Sequence, residues 1–341
     1  MASHRRPKQP TRARVTVLTA TAAAAVALAS QSAQAAPAKP SKDEVKAKVD
    51  ALYEEAEKAT EKANGAKEQQ DKLQKQIGEL QDKVARGQGE LNEMRNALGS
   101  LASAQYRSGG VDTSIQLLLS ADPDEYLDKA AVLDQLSAKQ VESVQKIQAK
   151  QRALAQQRAQ AAGKLKDLAD TRKELSEKKA AVQAKLAEAQ KLLNTLTAAE
   201  RAKLDQEEGR ANRSGASRPD LGNVKPSGRA GAALAAAQTK LGSAYISGAE
   251  GPNAFDCSGL TQWAYKQAGV GITRTTWTQA NEGTRIPISQ LQPGDLVFFY
   301  SDLHHVGLYA GNGMTLHASN PRGGVKYEKI SYMSPQFGVR I

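Results

Sequence analysis

Apolar positions in the first half of the chain step by four and three without a slip. From Val45 they run through Val49, Leu52, Ala56, Ala59, Ala63 and Ala66, pass polar Gln70, and continue through Leu73, Ile77, Leu80, Val84, Gly87, Leu91, Met94, Leu98 and Leu101. A sustained period of 3.5 residues predicts a coiled-coil seam. Such a helix of roughly 60 residues is about 90 Å long. Gly65, Gly78, Gly87 and Gly89 are expected to weaken it locally, glycine costing about 1 kcal/mol against alanine inside a helix.

The run Arg107-Ser108-Gly109-Gly110 stops this pattern, and Asp122-Pro123 reopens a helix as cap and first-turn proline. In the second helix Ile147, Leu154, Ala161, Leu168, Leu175, Val182, Ala189 and Leu196 share one heptad position. A companion seam is expected at Val144, Gln151, Arg158, Leu165, Arg172, Lys179, Leu186 and Leu193. Two long helices joined by a short segment predict an antiparallel coiled-coil hairpin over residues 42–208, with its tip near 107–123. The apolar stretch from Ile115 to Leu119 at that tip reads either as a small closing helix or as a docking surface.

Beyond residue 208 the period disappears. Residues 209–229 are rich in Arg, Ser, Asn, Gly and Pro and are expected to be a flexible basic linker. From residue 230 the pattern is that of a small α+β domain. Ala232–Leu241 reads as a helix, then a loop with Tyr245 and Gly251-Pro252 leads to Cys257. Leu260, Trp263, Ala264, Gln267 and Ala268 recur at helical spacing before Gly269. A strand is predicted at Leu296–Tyr300, and a second places His305, Gly307 and Tyr309 on one face, with His304 on the other. Gly311-Asn312-Gly313 signals a hairpin into a third strand, Met314–Ala318, which carries His317.

Composition supports this division. In 341 residues aromatics are only 4% and the mean hydropathy is −0.54, too little for one large core. Phe and Trp occur only from Phe255 onward, so globular core material lies at the C-terminal end. The first residues carry Arg5, Arg6, Lys8, Arg12 and Arg14, then an apolar run from Val15 to Ala29 and Ala33-Gln34-Ala35. This layout predicts a signal peptide over residues 1–35. Its apolar run is shorter than the ~20 residues that span a bilayer, so no integral membrane segment is expected after processing, and the protein is expected to be secreted or wall-associated. The formal charge of +11 is concentrated in that leader and in residues 209–229, while residues 36–208 hold 29 basic and 29 acidic side chains. Nucleic-acid binding, which needs a basic folded face, is not expected; weak attraction to an anionic surface suits the linker better.

Cys257 is the only cysteine, so no disulfide forms within one chain. A lone thiol followed downstream by His304, His305 and His317 suggests a thiolate nucleophile with a histidine base. At a helix N-terminus, with Asp256 as cap, the thiol is expected to ionise more readily. Neighbouring strands bring His305 and His317 together, one as base and one to orient it. Zinc held by the cysteine and histidines is the rival chemistry, but no short paired ligand motif is present. The expectation is a cysteine hydrolase without metal or cofactor.

These residues carry a family resemblance. Tyr245-Ile246-Ser247-Gly248, Phe255-Asp256-Cys257-Ser258-Gly259-Leu260, Arg274 with Gln279, Pro293-Gly294-Asp295-Leu296-Val297-Phe298-Phe299, His305-Val306-Gly307-Leu308-Tyr309-Ala310-Gly311 and His317-Ala318 resemble the NlpC/P60 family of cell-wall peptidases. The resemblance covers residues 230–341, about a third of the chain. It implies a papain-like α+β fold, a small antiparallel sheet with packed helices, and cleavage of peptidoglycan stem peptides, typically between D-glutamate and a diamino acid. It further implies Cys257 as nucleophile, His305 as base, His317 as third polar residue, and Tyr245, Asp256 and Ser258 as oxyanion or substrate residues. Ser247 and Ala249 depart from the family pattern and affect the cleft wall. The coiled coil before the domain is similar to that of RipA-like wall hydrolases. That similarity implies a partner at the tip, a division-associated ABC-type membrane complex. The architecture itself, a rod joined to the domain by a flexible linker, is expected to shade the catalytic cleft. Two alternatives stand beside this: a catalytically silent coiled-coil scaffold or activator, and a thiol amidase or acyltransferase on another substrate.

Overall fold

The computed structural model describes residues 40–107, 115, 123–216 and 228–341. The expected signal peptide, most of the expected hairpin tip and residues 217–227 of the expected linker lie outside the described residues.

Helix α1 spans Lys42–Arg107 and α2 spans Pro123–Leu193, 66 and 71 residues long. Their seams meet in antiparallel register. Leu91 packs with Ile147 and Leu154, Leu73 and Ile77 with Leu168, Ala63 and Ala66 with Leu175, and Val45 and Val49 with Ala189 and Leu193. Burying these side chains supplies what helix propensity alone does not.

Two details differ from the sequence expectation. The predicted companion row on α2 holds only at its end, where Leu186 is half-buried and Leu193 buried: Val144, Gln151, Arg158, Leu165, Arg172 and Lys179 are exposed, while Lys150, Gln157, Lys164, Thr171, Lys178 and Lys185 are half-buried. The reason is amphipathic reach, for lysine stems lie along apolar surface while their heads find polar groups. Lys150 pairs with Glu90, Lys164 donates to Gln76 at 2.7 Å, and Lys185 pairs with Glu55 at 2.6 Å. Nor is Gly87 simply a weak point, because a Cβ there would lie 2.8 Å from Leu154 Cδ2. Its missing side chain admits the leucine.

Helix α3, Ala198–Ala216, opens with a capping box: Glu200 N–H donates to Thr197 Oγ1 at 3.3 Å and Thr197 N–H to Glu200 Oε2 at 2.8 Å. It therefore continues into residues 209–216, which sequence composition assigned to the linker. Leu204 of α3 joins the apolar cluster at the base of the hairpin.

The C-terminal part holds α4 (Gly228–Gln238), α5 (Cys257–Gln267) and the short α6 (Thr276–Gln279). It also holds a two-stranded parallel pair, β1 (Ala244–Tyr245) with β2 (Ala254–Phe255). The remaining strands are β3 (Thr284–Ile286), β4 (Leu296–Phe299), β5 (His305–Gly311), β6 (Met314–Ala318), β7 (Val325–Lys329) and β8 (Pro335–Arg340). They form one antiparallel sheet in the order β3-β8-β4-β5-β6-β7. Strand alternation sorts its two faces. Leu296, Phe298, Val306, Leu308, Leu316 and Ala318 pack on α4 and α5, while Val297 and Phe299 pack with Met333. This is the α+β fold with a long helical hairpin before it. No described helix is long and apolar enough to cross a membrane.

Candidate active site

Helix α5 begins at Cys257 because Asp256, in extended conformation, turns its carboxylate back to accept from Gly259 N–H at 2.7 Å. Asp256 is fully buried, and its second oxygen accepts from Gly248 N–H at 2.9 Å and from Arg274 Nη2 at 2.6 Å. Arg274 also donates to Ser258 Oγ at 2.6 Å and to Glu250 at 3.1 Å. Asp256 and Arg274 thus clamp the cap, the loop before it and the first turn of α5 into one unit. Pairing of β1 with β2 sets Tyr245 opposite Phe255, two residues before the thiol.

The two histidines come from adjacent strands. His305 and His317 share the sheet face away from α4 and α5, and Gly307, the next residue on that face of β5 after His305, lies against His317. A Cβ on Gly307 would lie 2.4 Å from Thr315 Oγ1 and 3.0 Å from His317 Cβ. Glycine is what lets the His317 ring lie against β5. His305 Nε2 and His317 Nδ1 are 2.7 Å apart, and His317 Nε2 is 3.1 Å from Glu328 Oε2.

Burial lowers the His317 imidazole to about 4, with Glu328 opposing and His305 reinforcing the shift. Glu328 is brought down to about 2 by His317 and Lys326, although its own burial works the other way. A neutral His317 beside an ionised Glu328 donates from Nε2 and accepts at Nδ1, so His305 carries a proton on Nε2. That leaves His305 Nδ1 as the ring nitrogen turned away from His317, where it meets Glu57. Glu328 is not found from sequence; it stands on β7 opposite Thr315, two pairs from His317 and on the same face.

Cys257, Tyr245, Asp256, Ser258, His305 and His317 are therefore brought together, all buried. His304 is not among them, since its ring stacks on Tyr300 and its Nδ1 meets Asp302. The site also contains residues that sequence reasoning missed, and they come from α1. Glu57 hydrogen-bonds His305 Nδ1. Glu61 accepts from Ser258 Oγ at 2.6 Å and from Thr276 N–H at 2.8 Å, and Asn64 donates to Asp256 at 3.0 Å.

This company reverses the expected effect on the thiol. Burial, then Glu57, Glu61 and Asp256, push Cys257 well above the ordinary thiol range. The helix N-terminus favours the thiolate, but sealing it from water beside three carboxylates outweighs a dipole worth about 0.3–2 kcal/mol. One donor atom each of Glu57, Cys257 and His305 lie within 4.8 Å of one another, a set whose chemistry suits zinc. Its carboxylate belongs to the hairpin, so the catalytic domain alone does not supply it.

Residues 242–338 match the family model described as NlpC/P60 family. A probable endopeptidase of Corynebacterium glutamicum is 51% identical over 106 residues, 31% of this chain and 51% of that protein. A probable endopeptidase p60 of Listeria monocytogenes is 48% identical over 99 residues, 28% of this chain and 20% of that protein. Among solved structures, the NlpC/p60 domain of the peptidoglycan hydrolase SagA is 36% identical, with a TM-score of 0.32; the match covers 33% of this chain and 98% of that one. The chain thus spans about half or less of these curated relatives' length, and the residues matched by the family model include the thiol and both site histidines. Residues 242–338 are an NlpC/P60 domain.

Proposed function

We propose that the chain is a secreted peptidoglycan hydrolase: a cysteine endopeptidase that cleaves stem peptides at the D-glutamyl–diaminopimelate bond during wall remodelling or daughter-cell separation. The observation that carries this reading is the chain Cys257, His305, His317, Glu328, built at a helix N-terminus and on two neighbouring strands of an NlpC/P60 domain. The names of the curated relatives and of SagA agree with it.

In this mechanism His305 Nδ1 takes the thiol proton, and the Cys257 thiolate attacks the scissile carbonyl to form a C–S bond. The oxyanion is held by the Cys257 backbone N–H and the Tyr245 hydroxyl. Imidazolium His305 returns its proton to the leaving amine as the C–N bond breaks. Water, deprotonated by His305, then releases the acid from the thioester and restores the thiol. His317 holds the His305 ring and takes no proton itself, consistent with its low basicity.

The test is mass spectrometry of soluble fragments after mixing residues 228–341 with diaminopimelate-type peptidoglycan, beside Cys257→Ala. The apolar core of this fragment is drawn only from residues 233–341. Fragments ending at D-glutamate that vanish with Cys257→Ala are expected. Digestion that persists in Cys257→Ala would remove the thiol mechanism, and a reactive thiol with no fragments would favour another amide or ester substrate.

A further inference from the structure

Lys326 is a buried lysine, 6% exposed, that turns toward the site rather than into solvent. It stands on β7 directly opposite His317, so its side chain shares the sheet face that bears both site histidines. Its neighbours Val325 and Tyr327 turn the other way, into the apolar core. Lys326 Nζ is 3.3 Å from Glu328 Oε2, the same oxygen that His317 Nε2 meets at 3.1 Å. A buried ion pair is weak evidence for stability, since apolar residues of similar volume often do as well or better in its place. A use in the site accounts for the lysine more directly.

A cavity of 510 Å³ lies beside this row, and the domain lines it with His305, His317, Lys326, Glu328, Tyr332 and Met333, among others. Among the described residues, Lys326 is the only lysine or arginine that the domain contributes to it. In the proposed reaction His305 hands its proton to the leaving amine, so the leaving diamino acid lies on the imidazole side, in this cavity. The far carbon of a diaminopimelate side chain carries a carboxylate and an ammonium, whereas a lysine side chain ends in an ammonium alone. From the leaving nitrogen to that carboxylate the extended arm measures roughly 7–8 Å. Strand β7 is two strand spacings from β5, about 9–10 Å. The diamino acid's arm and the lysine stem close that gap between them.

We infer that Lys326 is the specificity-determining residue for the diamino acid: its ammonium receives the free carboxylate at the far end of a diaminopimelate side chain. Stems that carry lysine, or a diaminopimelate amidated at that end, lack the group it reads. The inference rests on the proposed reading of the chain as a stem-peptide hydrolase. Glu328, a quarter exposed beside it, suits the ammonium on the same carbon. A lysine stem offers that ammonium too, so discrimination falls to Lys326. Tyr332 and Met333 present apolar surface to the methylenes between.

The test uses residues 228–341, which hold all of these groups and the whole apolar core of the domain. Three tripeptides are compared: L-alanyl-γ-D-glutamyl-meso-diaminopimelate, the same peptide amidated at the far carboxylate, and its L-lysine counterpart. Binding is read by titration calorimetry on Cys257→Ala, and kcat and KM on the fragment with its thiol. Binding of the carboxylate peptide about tenfold or more tighter than either analogue is expected, because a site built around a polar group rejects ligands that lack it. Lys326→Met should erase that margin and lower kcat/KM for the carboxylate peptide to the level of the analogues, through KM rather than kcat. Lys326→Arg should keep most of it. Equal binding of all three peptides, or a margin that survives Lys326→Met, overturns the inference. So does an equal fall in kcat on all three, the mark of a lysine that only holds Glu328 against His317. If Lys326→Met does not fold, carbodiimide coupling of the carboxylate peptide to the Cys257→Ala fragment decides: an amide on Lys326, located by mass spectrometry, supports the inference, and coupling at other lysines alone overturns it. If binding depends on Lys326 in this way but no peptide is cleaved, the inference stands and the endopeptidase reading falls.

Discussion

Helix α1 buries two faces, and they are built differently. Toward α2 it presents valine, leucine, isoleucine and alanine, whose burial is favourable wherever a second apolar face is available. Toward the catalytic site it presents two glutamates, a threonine and an asparagine. For the glutamates and the asparagine, burial is tolerable because His305, Ser258, Thr276 and Asp256 meet them with hydrogen bonds, while Thr60 donates to the Ala56 carbonyl of its own helix at 2.7 Å. The first kind of contact holds a structure together; the second recognises one particular surface and competes with water for it.

The comparison sharpens where the polar face meets its receptor. Arg274, nearly buried, pairs with fully buried Asp256 at 2.6 Å. Arg274→Ala leaves that carboxylate uncompensated, and removing one partner of a buried pair costs about 3–5 kcal/mol. Chemical denaturation of residues 228–341 is expected to show that loss. A loss below about 1 kcal/mol, the range of an exposed pair, would mean that the clamp is not what holds the first turn of α5.

The apolar face has its own break. Leu168, buried against Leu73 and Ile77, is part of the seam only. Leu168→Ala is expected to cost about 2–5 kcal/mol of hairpin stability and to leave the alkylation rate of Cys257 unchanged. Glu57→Gln should do the reverse, leaving the seam intact and raising thiol reactivity. If both variants moved both readouts together, the two faces of α1 would be one cooperative contact.

How much of this was legible in the sequence follows from the same contrast. The seam from Val45 to Leu101 could be read because apolar residues at a 3.5-residue period have no other common use. The strands bearing His305 and His317 could be read because alternation and the Gly311-Asn312-Gly313 turn fix their register; Asn312 and both glycines do adopt positive φ. Asp256 could be read as a cap because a short acidic side chain before a helical run has that local use. The companion row on α2 was misread because lysines counted as polar still cover apolar surface with their stems. Glu57, Thr60, Glu61 and Asn64 could not be found at all. In a chain where 24% of residues are charged, four polar residues on a helix face look the same whether they meet water or an active site. What distinguishes them is a contact across roughly 200 positions of sequence separation, which no local pattern encodes. The raised thiol was hidden for the same reason, since the helix N-terminus is local and the carboxylates of α1 are not.

The smallest expected effect is a dependence on pH of the contact between α1 and the site, closed when Glu61 is seated and open when it is not, and its sign can be worked out. In the closed site, burial and then Asp256 push the Glu61 carboxyl up to about 7 from its ordinary 4.5, against hydrogen bonds from Ser258 and Thr276 and the charge of Arg274. With the helix lifted, the carboxyl is solvated and returns toward the ordinary value. Between these two values the closed state holds a proton that the open state does not. Closure is therefore favoured most at the acid end, weakens as pH rises through that interval, and levels off above about 7. Alkylation also speeds up with pH because any thiol ionises, so the useful quantity is the rate of the native chain divided by that of Glu61→Gln. The glutamine variant keeps Asp256, Arg274, Cys257, Glu57 and His305, and removes only the titration of residue 61. The ratio should climb severalfold from weakly acid to neutral pH and then stay flat. A flat ratio throughout would show that Glu61 does not change its protonation when the helix leaves; a ratio falling with pH would place the linked proton on the open state instead.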